Sequence, residues 1–337
     1  MNSNSEVKKF ILSNIPFHQK DIIHTAINQF GISRQAVLKH MNALIDDNKV
    51  KAYGKTRDRE YRLIPQVNFN KIFQINDSLN SNENIQNEIL MHLEPLSKNI
   101  FQICEYSIEA LINNVFEHAN SSSLYVKLFL TYSDFHLIIS DNGSGLLTKI
   151  KNKLNLKTTQ MAALEIAKGQ ITTDLSSHSG DSLNIIFHLF DRVRIDSSGY
   201  QLVHYKTENQ WEIDYSKQAQ GTRIHLQIDP QLKRTCGMVF KQLFEKQKHS
   251  FRIPISLAKN PVKNSLNSTS CAKSIFCNIN YLKKVIFDFY KIDLIGPAFA
   301  DELVRQSRSI NSKVVINWVN CNNTVNLLMN RALKRII

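Results

Sequence analysis

Residues 106–120 read YSIEALINNVFEHAN, and this stretch decides how the middle of the chain is interpreted. Its apolar residues recur at the three- and four-residue spacing of a helix that buries one face. The same helix carries two adjacent asparagines, Asn113 and Asn114, between two glutamates and a histidine. Amide and carboxylate oxygens are ligands that magnesium accepts in proteins. The stretch is therefore a candidate for binding a metal-bound nucleotide.

Length and composition restrict the class of protein. A chain of 337 residues is long enough for two or three domains with cores of their own. Its 42% hydrophobic and 21% charged content predicts a soluble globular protein. No run of about 18 apolar residues is present, and the first residues lack a secretory signal. Five cysteines, an odd number, argue against a disulfide framework. We expect a reduced, cytoplasmic protein without membrane contact.

Charge divides the chain into three parts. Residues 1–65 carry 11 lysines and arginines against 6 acidic residues, a net charge of +5. Residues 66–230 carry 13 against 18, or −5, and residues 231–337 carry 18 against 5, or +13. Two basic ends around an acidic middle indicate separate domains, with a polyanion as a candidate partner. The alternative is that the basic surface only keeps the protein in solution.

Residues 1–66 have the order helix, helix, turn, helix, hairpin. Gly31 ends the second helix, and Ser33 is a good N-cap for the third. This order resembles a winged helix-turn-helix, which implies DNA contacts from the start of the third helix and from the hairpin tip. The residues implied are Arg34, Gln35, Lys39, His40, Lys55, Arg57 and Arg59. The alternative is a small dimerisation or protein-interaction module with the same charged surface.

Residues 84–230 predict an α/β sandwich with one helical layer. A long helical stretch broken near Pro95 precedes two alternating strands joined by a turn at residues 133–134. A polar, lid-like segment, another helix and further strands follow. The residues between this domain and the first, 67–83, are polar and read as a linker.

Three short motifs recur in the order typical of one family. The asparagine pair is followed by DNGSG at residues 141–145 and by Gly221-Thr222 before the last strand. Alone, DNGSG is an ordinary turn and NN a polar helix face. Together they resemble the GHKL ATP-binding domains of gyrase-like ATPases, histidine kinases and anti-sigma-factor kinases. In that family a Gly-x-Gly stretch opens a later helix, and here the second glycine position is Ser182.

The GHKL resemblance assigns roles to particular residues. It implies that Asn114 helps hold Mg²⁺ against the phosphates of ATP and that Asp141 accepts a hydrogen bond from the adenine amino group. The residues implied to contact the nucleotide are Asn113, Asn114, His118, Asp141, Gly143, Gly145, Thr173, Gly180 and Thr222.

The position of a catalytic base depends on which asparagine is counted from. In the related ATPases a glutamate lies four residues before the asparagine, one turn away on the same helix face. Counting from Asn114 gives Ala110. Counting from Asn113 gives Glu109, but the histidine expected four residues further on is then Glu117. Tyr106 and the run NNVFEHA at residues 113–119 favour counting from Asn114, which leaves no base in the usual place. Glu109 is the only candidate base nearby, and the sequence leaves ATP hydrolysis open.

Residues 268–337 read strand, helix, strand, helix. The stretch IGPAFADELVR at residues 295–305 resembles the STAS-like domain that follows GHKL domains in bacterial proteins. Residues 285–306 contain no serine or threonine, so phosphorylation within the chain at the usual STAS site is excluded. We interpret this block as a docking or dimerisation domain, because a likeness of fold says nothing specific about activity, and phosphorylation of a partner protein in trans is the alternative.

The sequence as a whole predicts an α+β multidomain protein: a winged helix, then a GHKL α/β sandwich, then a small STAS-like α/β domain. We expect an ATP-binding and DNA-binding bacterial regulator in which the nucleotide orders a lid at residues 145–180. An anti-sigma-type serine/threonine kinase acting in trans and a non-hydrolysing GHKL scaffold are the alternatives. The sequence leaves the oligomeric state open, a homodimer included.

Overall fold

The computed structural model describes residues 3–75, 81–169, 181–245, 250–259, 266–279 and 281–336. These residues form twelve α-helices and three β-sheets, so the protein is a mixed α/β protein built from several parts. This agrees with the α+β class predicted from the sequence. None of the described helices is long and apolar enough to cross a membrane.

The first part of the chain contains three helices and a two-stranded hairpin. The elements are α1 (Ser3–Asn14), α2 (Ile22–Phe30), α3 (Arg34–Asp46), β1 (Val50–Tyr53) and β2 (Glu60–Leu63). Helix α2 ends at Gly31, whose φ of 63° is the left-handed conformation that glycine adopts readily. Helix α3 begins after Ser33, whose hydroxyl accepts a hydrogen bond of 3.2 Å from the amide of Ala36. The buried faces of these elements form a hydrophobic core of their own.

The middle of the chain forms an antiparallel sheet of seven strands. The strands are β3 (Val67–Gln74), β4 (Ser123–Leu130), β5 (Phe135–Asp141), β6 (Arg192–Ser197), β7 (Tyr200–Tyr205), β8 (Gln210–Tyr215) and β9 (Thr222–Ile228). Their order in the sheet is β3-β4-β5-β9-β6-β7-β8. The register places Leu128, Leu137 and Leu226 in one row, and all three are buried. This row belongs to the face that packs against helices.

Six helices accompany this sheet. They are α4 (Asn82–Leu90), α5 (Lys98–His118), α6 (Leu146–Lys153), α7 (Thr159–Lys168), α8 (Asp181–Leu189) and α9 (Cys236–Glu245). Two of them, α6 and α7, lie where the sequence predicted a polar, lid-like segment. Leu147 and Ile150 on α6 and Ala162 on α7 are buried at helical spacing. Lysines between these positions hid the pattern. The rest of the predicted lid, residues 170–180, lies outside the described residues.

Strand β3 lies within residues 67–83, which the sequence predicted to be a linker. It pairs with β4 along its whole length, from Val67 opposite Leu130 to Gln74 opposite Ser123. As an edge strand it buries only Phe73 fully, so the alternation that marks a strand is weak.

The last part of the chain contains a parallel sheet of three strands in the order β10 (Ser250–Pro254), β11 (Lys284–Asp288) and β12 (Val315–Val319). Its helices are α10 (Thr269–Ile275), α11 (Pro297–Ile310) and α12 (Asn323–Arg335). Strand β10 precedes the boundary predicted at residue 268, because a five-residue strand between polar stretches has too few residues to show a period. Arg252 on β10 holds the buried carboxylate of Asp288 on β11 through hydrogen bonds of 3.0 and 2.7 Å.

A buried histidine lies in the core of the seven-stranded sheet. His204 on β7 packs between Phe187 and Trp211, at ring distances of 5.5 and 4.4 Å. Burial lowers the pKa of His204 to about 4, against an ordinary value of 6.5, although Asn209 partly opposes the shift. Between these two pH values the unfolded chain holds a proton that the folded chain does not.

Acidification from pH 7 to pH 5 is therefore expected to destabilise the protein through His204 by about 2 kcal/mol. The stability increases as the pH rises from 5 to 7, because His204 then loses its proton in the unfolded chain and is already neutral in the folded chain. Chemical denaturation at the two pH values measures the effect, and His204→Phe should remove most of it. The exposed His24 is the matched control: His24→Gln should leave the pH dependence unchanged. Equal pH dependence in wild type and His204→Phe would contradict the assignment.

Candidate functional site

A cavity of about 330 Å³ lies between the helices and the sheet of the middle domain. Four of its walls come from separate parts of the chain: the end of α5, the loop after β5, the start of α8 and the start of β9. Apolar side chains such as Leu111, Ile139 and Ile224 form much of its surface. The polar or charged lining residues used below are Asn114, Asp141, Lys149, Lys153, Ser182 and Thr222. The cavity thus combines apolar walls with a few convergent polar groups, as small-molecule sites do.

Asp141 is the last residue of β5 and is 8% exposed. Burial raises the pKa of its carboxyl group, while the backbone amides of Gly143 and Thr222 and the nearby Lys149 oppose the shift. The Gly143 amide donates to Asp141 Oδ1 over 2.8 Å. Each carboxylate oxygen has two lone pairs, so a carboxylate held by backbone amides can still accept a hydrogen bond from the cavity.

The loop after β5 is clamped between α5 and β9. The amide of Ser144 donates to the carbonyl of Ala119, and the amide of Gly221 donates to the carbonyl of Gly143, each over 3.0 Å. A Cβ atom on Gly143 would lie 1.9 Å from the Ala119 oxygen. Only glycine therefore permits this approach of two backbone segments.

Thr222, the first residue of β9, connects that strand to helix α6. Its buried hydroxyl accepts a hydrogen bond of 2.8 Å from the amide of Leu146, at the start of α6. Gly145, just before that helix, has a φ of 82°, a conformation strained for residues with a side chain. The structure therefore brings Asp141, Gly145 and Thr222 together and places all three against the cavity.

The two adjacent asparagines point in different directions. Asn114 lines the cavity. The amide oxygen of Asn113 instead accepts hydrogen bonds from the side chains of Asn82 and Gln86 on α4. Asn113 is thus engaged by a neighbouring helix, and Asn114 is the asparagine of the site.

This difference bears on the candidate base. Ala110 lies one turn before Asn114, on the same side of α5. Glu109 lies one turn before Asn113 and is exposed. Among the described residues that line the cavity, Asp141 is the only one with a carboxylate. The structure therefore does not bring Glu109 into the site.

Two lysines of the site were missed by the sequence reasoning. Lys149 and Lys153 lie one turn apart on α6 and both line the cavity. Burial lowers the pKa of Lys149, and the neighbouring Asp141 opposes this shift. The four-residue spacing of the two lysines is visible in the sequence. It is informative only if the segment is a helix, and the polar composition of the segment favours a lid.

Some predicted nucleotide contacts are not described. Thr173 and Gly180 lie outside the described residues, as does the side chain of His118. Ser182, at the departure from the family's glycine pattern, lines the cavity at the start of α8.

The predicted DNA contacts lie on two elements of the first part of the chain. Arg34, Gln35 and Lys39 are exposed on α3, and His40 is half-buried. Burial, together with Lys8 and Lys39, lowers the pKa of His40. Lys55 and Arg59 are exposed between β1 and β2, while the side chain of Arg57 lies outside the described residues.

Helix α7 connects the cavity with the last part of the chain. Ile166 and Gly169, at its C-terminal end, line the cavity. On its other side Gln160 donates to the carbonyls of Leu257 and Lys259 over 2.8 and 2.7 Å. Lys168 donates to the carbonyl of Cys277 over 3.0 Å.

The side chain of Lys168 also forms an ion pair of 2.7 Å with Glu165 on the same helix. Both side chains are almost completely buried. A buried pair of this kind is sensitive to the position of its partners, because separating them leaves an uncompensated charge.

The family comparison concerns the C-terminal part. Residues 272–326 match the model of a STAS-like domain of unknown function (DUF4325). The protein is therefore a mixed α/β multidomain protein with a C-terminal STAS-like domain, which confirms the prediction for that part. The match begins within α10 and ends within α12, and the parallel strand β10 precedes it. No curated protein matches the chain.

Proposed function

We propose that the protein is an ATP-binding regulator in which the nucleotide state of a GHKL-type middle domain is coupled to DNA binding by an N-terminal winged helix. One observation carries the proposal: three motifs far apart in the sequence place Asn114, Asp141 and Thr222 on one cavity. The volume of about 330 Å³ is within the range of small-molecule sites.

The residues present suit ATP and Mg²⁺. The Asp141 carboxylate is a hydrogen-bond acceptor for the adenine amino group, and the apolar walls suit the adenine ring. Lys149 and Lys153 supply positive charge for phosphates. The side-chain oxygen of Asn114 is a magnesium ligand of the kind that phosphate-bound Mg²⁺ accepts.

Binding is better supported than turnover. A water-activating carboxylate must lie within hydrogen-bond reach of the reacting atoms. Glu109 is exposed and lies on the helix face of Asn113, whereas Asn114 faces the cavity. We therefore propose that ATP acts here as a ligand, and the kinase alternative has less support.

Helix α7 supports the coupling between the cavity and the STAS-like domain. It lines the cavity with Ile166 and contacts the STAS-like part through the hydrogen bond from Lys168 to Cys277. Gln160 contacts the segment just after β10. A shift of α7 on nucleotide binding would have to move or break buried hydrogen bonds. Such a shift requires that the nucleotide bind the two arrangements with different affinity.

The N-terminal part supports DNA binding by its geometry and charge. Its third helix, α3, presents exposed Arg34, Gln35 and Lys39, and a basic hairpin follows. A helix that enters the major groove with a basic wing on the phosphates has this arrangement.

Replacement of Arg34 and Arg59 by alanine is expected to weaken DNA binding at least about tenfold and to lower the salt slope by about 2, one for each phosphate contact. Mobility-shift titration of a mixed pool of duplex DNA at several salt concentrations measures both. The exposed Lys9 on α1 is the matched control, and Lys9→Ala should bind as wild type does. Unchanged binding by the double variant would contradict the winged-helix assignment.

The same titration with and without ATP tests the coupling. We expect ATP to change the DNA affinity of the wild type by about fivefold or more, the usual size of a coupling between sites. In Asp141→Asn the DNA affinity should not respond to ATP. A response that persists in this variant would show that the nucleotide acts elsewhere.

A further inference from the structure

The seven-stranded sheet has a second face that the proposed function does not use. Strand residues next to those of the buried row point to this side. We call this side of the sheet the open face. Six of its central residues are used below: Lys127, Phe129, His136, Arg192, Arg223 and His225. Arg223 is exposed and the other five are half-buried. The register puts Phe129 opposite His136.

Aromatic rings form a continuous row across three strands of the open face. The ring centres of Phe129 on β4 and His136 on β5 are 6.1 Å apart. Those of His136 and His225 on β9 are 5.1 Å apart, and a hydrogen bond of 2.9 Å joins Nδ1 of His136 to Nε2 of His225. Burial lowers the pKa of both histidines, that of His225 to about 4, so these rings are uncharged at neutral pH.

Four cations and two carboxylates, Asp134 and Asp196, lie around this row of rings, so the net charge there is positive. Lys127, Arg192 and Arg223 have no carboxylate partner among the described residues. Arg194, by contrast, forms two hydrogen bonds, of 2.7 and 2.9 Å, with the buried Asp196. The open face thus keeps three cations without a carboxylate partner beside the rings.

Arg192 is the most unusual of these cations. Its guanidinium group lies over the ring of Tyr205 at 5.4 Å. Its Nε atom is buried and has no hydrogen-bond partner in the described part of the chain. Buried donors in folded proteins are almost always paired, so the Nε atom of Arg192 is an exception in this sheet.

We propose that the open face binds single-stranded nucleic acid, with bases stacked on the row of rings and phosphates paired with Lys127, Arg192 and Arg223. A positively charged surface with aromatic side chains is the common arrangement for unpaired strands. A duplex hides its bases from a flat sheet, so stacking on the rings requires unpaired bases. A second copy of the chain is disfavoured because two such faces would bring like charges together.

The test uses the full-length protein and fluorescein-labelled 20-nucleotide single strands, both oligo(dT) and oligo(U), in anisotropy titrations at several salt concentrations. The wild type should bind. Lys127→Gln/Arg223→Gln should bind about tenfold more weakly or worse, with a salt slope lowered by about 1.4, since each phosphate contact on a single strand contributes about 0.7. Phe129→Leu should weaken binding about fivefold or more without changing the slope, because it removes stacking and no charge.

Lys283→Gln/Lys313→Gln is the control, because it removes two exposed lysines from the STAS-like part. It should bind as the wild type does. Photocrosslinking to 4-thiothymidine should label peptides of β4 and provides a readout that does not depend on any variant. The proposal is overturned if the wild type fails to bind at about 50 mM salt, a low concentration at which phosphate contacts are strong.

Three further outcomes would also overturn it. An equal loss in the control pair would show a general charge effect. A loss confined to Arg34→Ala would assign the single strand to the winged helix. Equal competition by polyglutamate would show that the open face recognises acidic chains in general.

Discussion

Replacement of Asp141 by asparagine is expected to lower the affinity for ATP by at least about 100-fold, because the amide turns one acceptor into a donor that faces the adenine amino group. The fold should survive, since the remaining oxygen can still accept from the Gly143 amide. Isothermal titration with ATP and Mg²⁺ measures the loss, and circular dichroism checks the fold.

Asp134 provides the matched control for this variant. It lies just before β5, whereas Asp141 ends that strand. Asp134 accepts a hydrogen bond of 3.0 Å from Gln227, far from the cavity residues named above. Asp134→Asn should bind ATP as the wild type does. If Asp141→Asn also binds ATP normally, the adenine contact has been assigned to the wrong residue.

Replacement of Gly221 by alanine is expected to lower the free energy of unfolding by about 3 kcal/mol or more, through backbone strain and a steric clash. Gly221 has a φ of 70° and packs against the end of β5, so that a Cβ atom would lie 2.0 Å from the carbonyl oxygen of Asp141. Because that contact positions Asp141, ATP binding should be lost as well. Chemical denaturation and titration measure the two effects.

A substitution at Gly199 measures the backbone strain alone, without the steric clash. It has a φ of 81°, but a Cβ atom there would meet nothing within 4 Å. Gly199→Ala should therefore cost only about 1 to 2 kcal/mol, the price of a left-handed conformation, and should leave ATP binding intact. Equal destabilisation by the two substitutions would show that the backbone of Asp141 can move away at little cost.

The motifs of the candidate site were predictable from the sequence because each depends on a local requirement. Asp141 ends an alternating strand, and glycines follow where the backbone makes a close approach. The sequence favoured Asn114 over Asn113 as the asparagine of the site, but the contacts that Asn113 makes instead were not predictable. They depend on α4, whose Asn82 and Gln86 occupy the side-chain oxygen of Asn113. Helix α4 directly precedes α5 in the chain, but its side-chain contacts with α5 leave no periodic pattern in the sequence.

The fold shows the same division. Helices with strong apolar periodicity, such as α2 and α11, were visible in the sequence. Strand β3 and strand β10 were not, because an edge strand and a five-residue strand contain too little alternation to stand out. Both strands exist through hydrogen bonds to partners, β4 and β11, that are distant in the chain.

By itself the sequence determined the α+β class, the STAS-like end of the chain and the order of the motifs, since periodicity, caps and glycines act over a few residues. Only the tertiary structure decided that Glu109 stays outside the cavity and that α7 links the cavity to the STAS-like domain. It also decided that uncharged histidine rings and cations without a carboxylate partner share one face of the sheet. These outcomes depend on pairing between strands and helices far apart in sequence, and long-range pairing leaves no local signal.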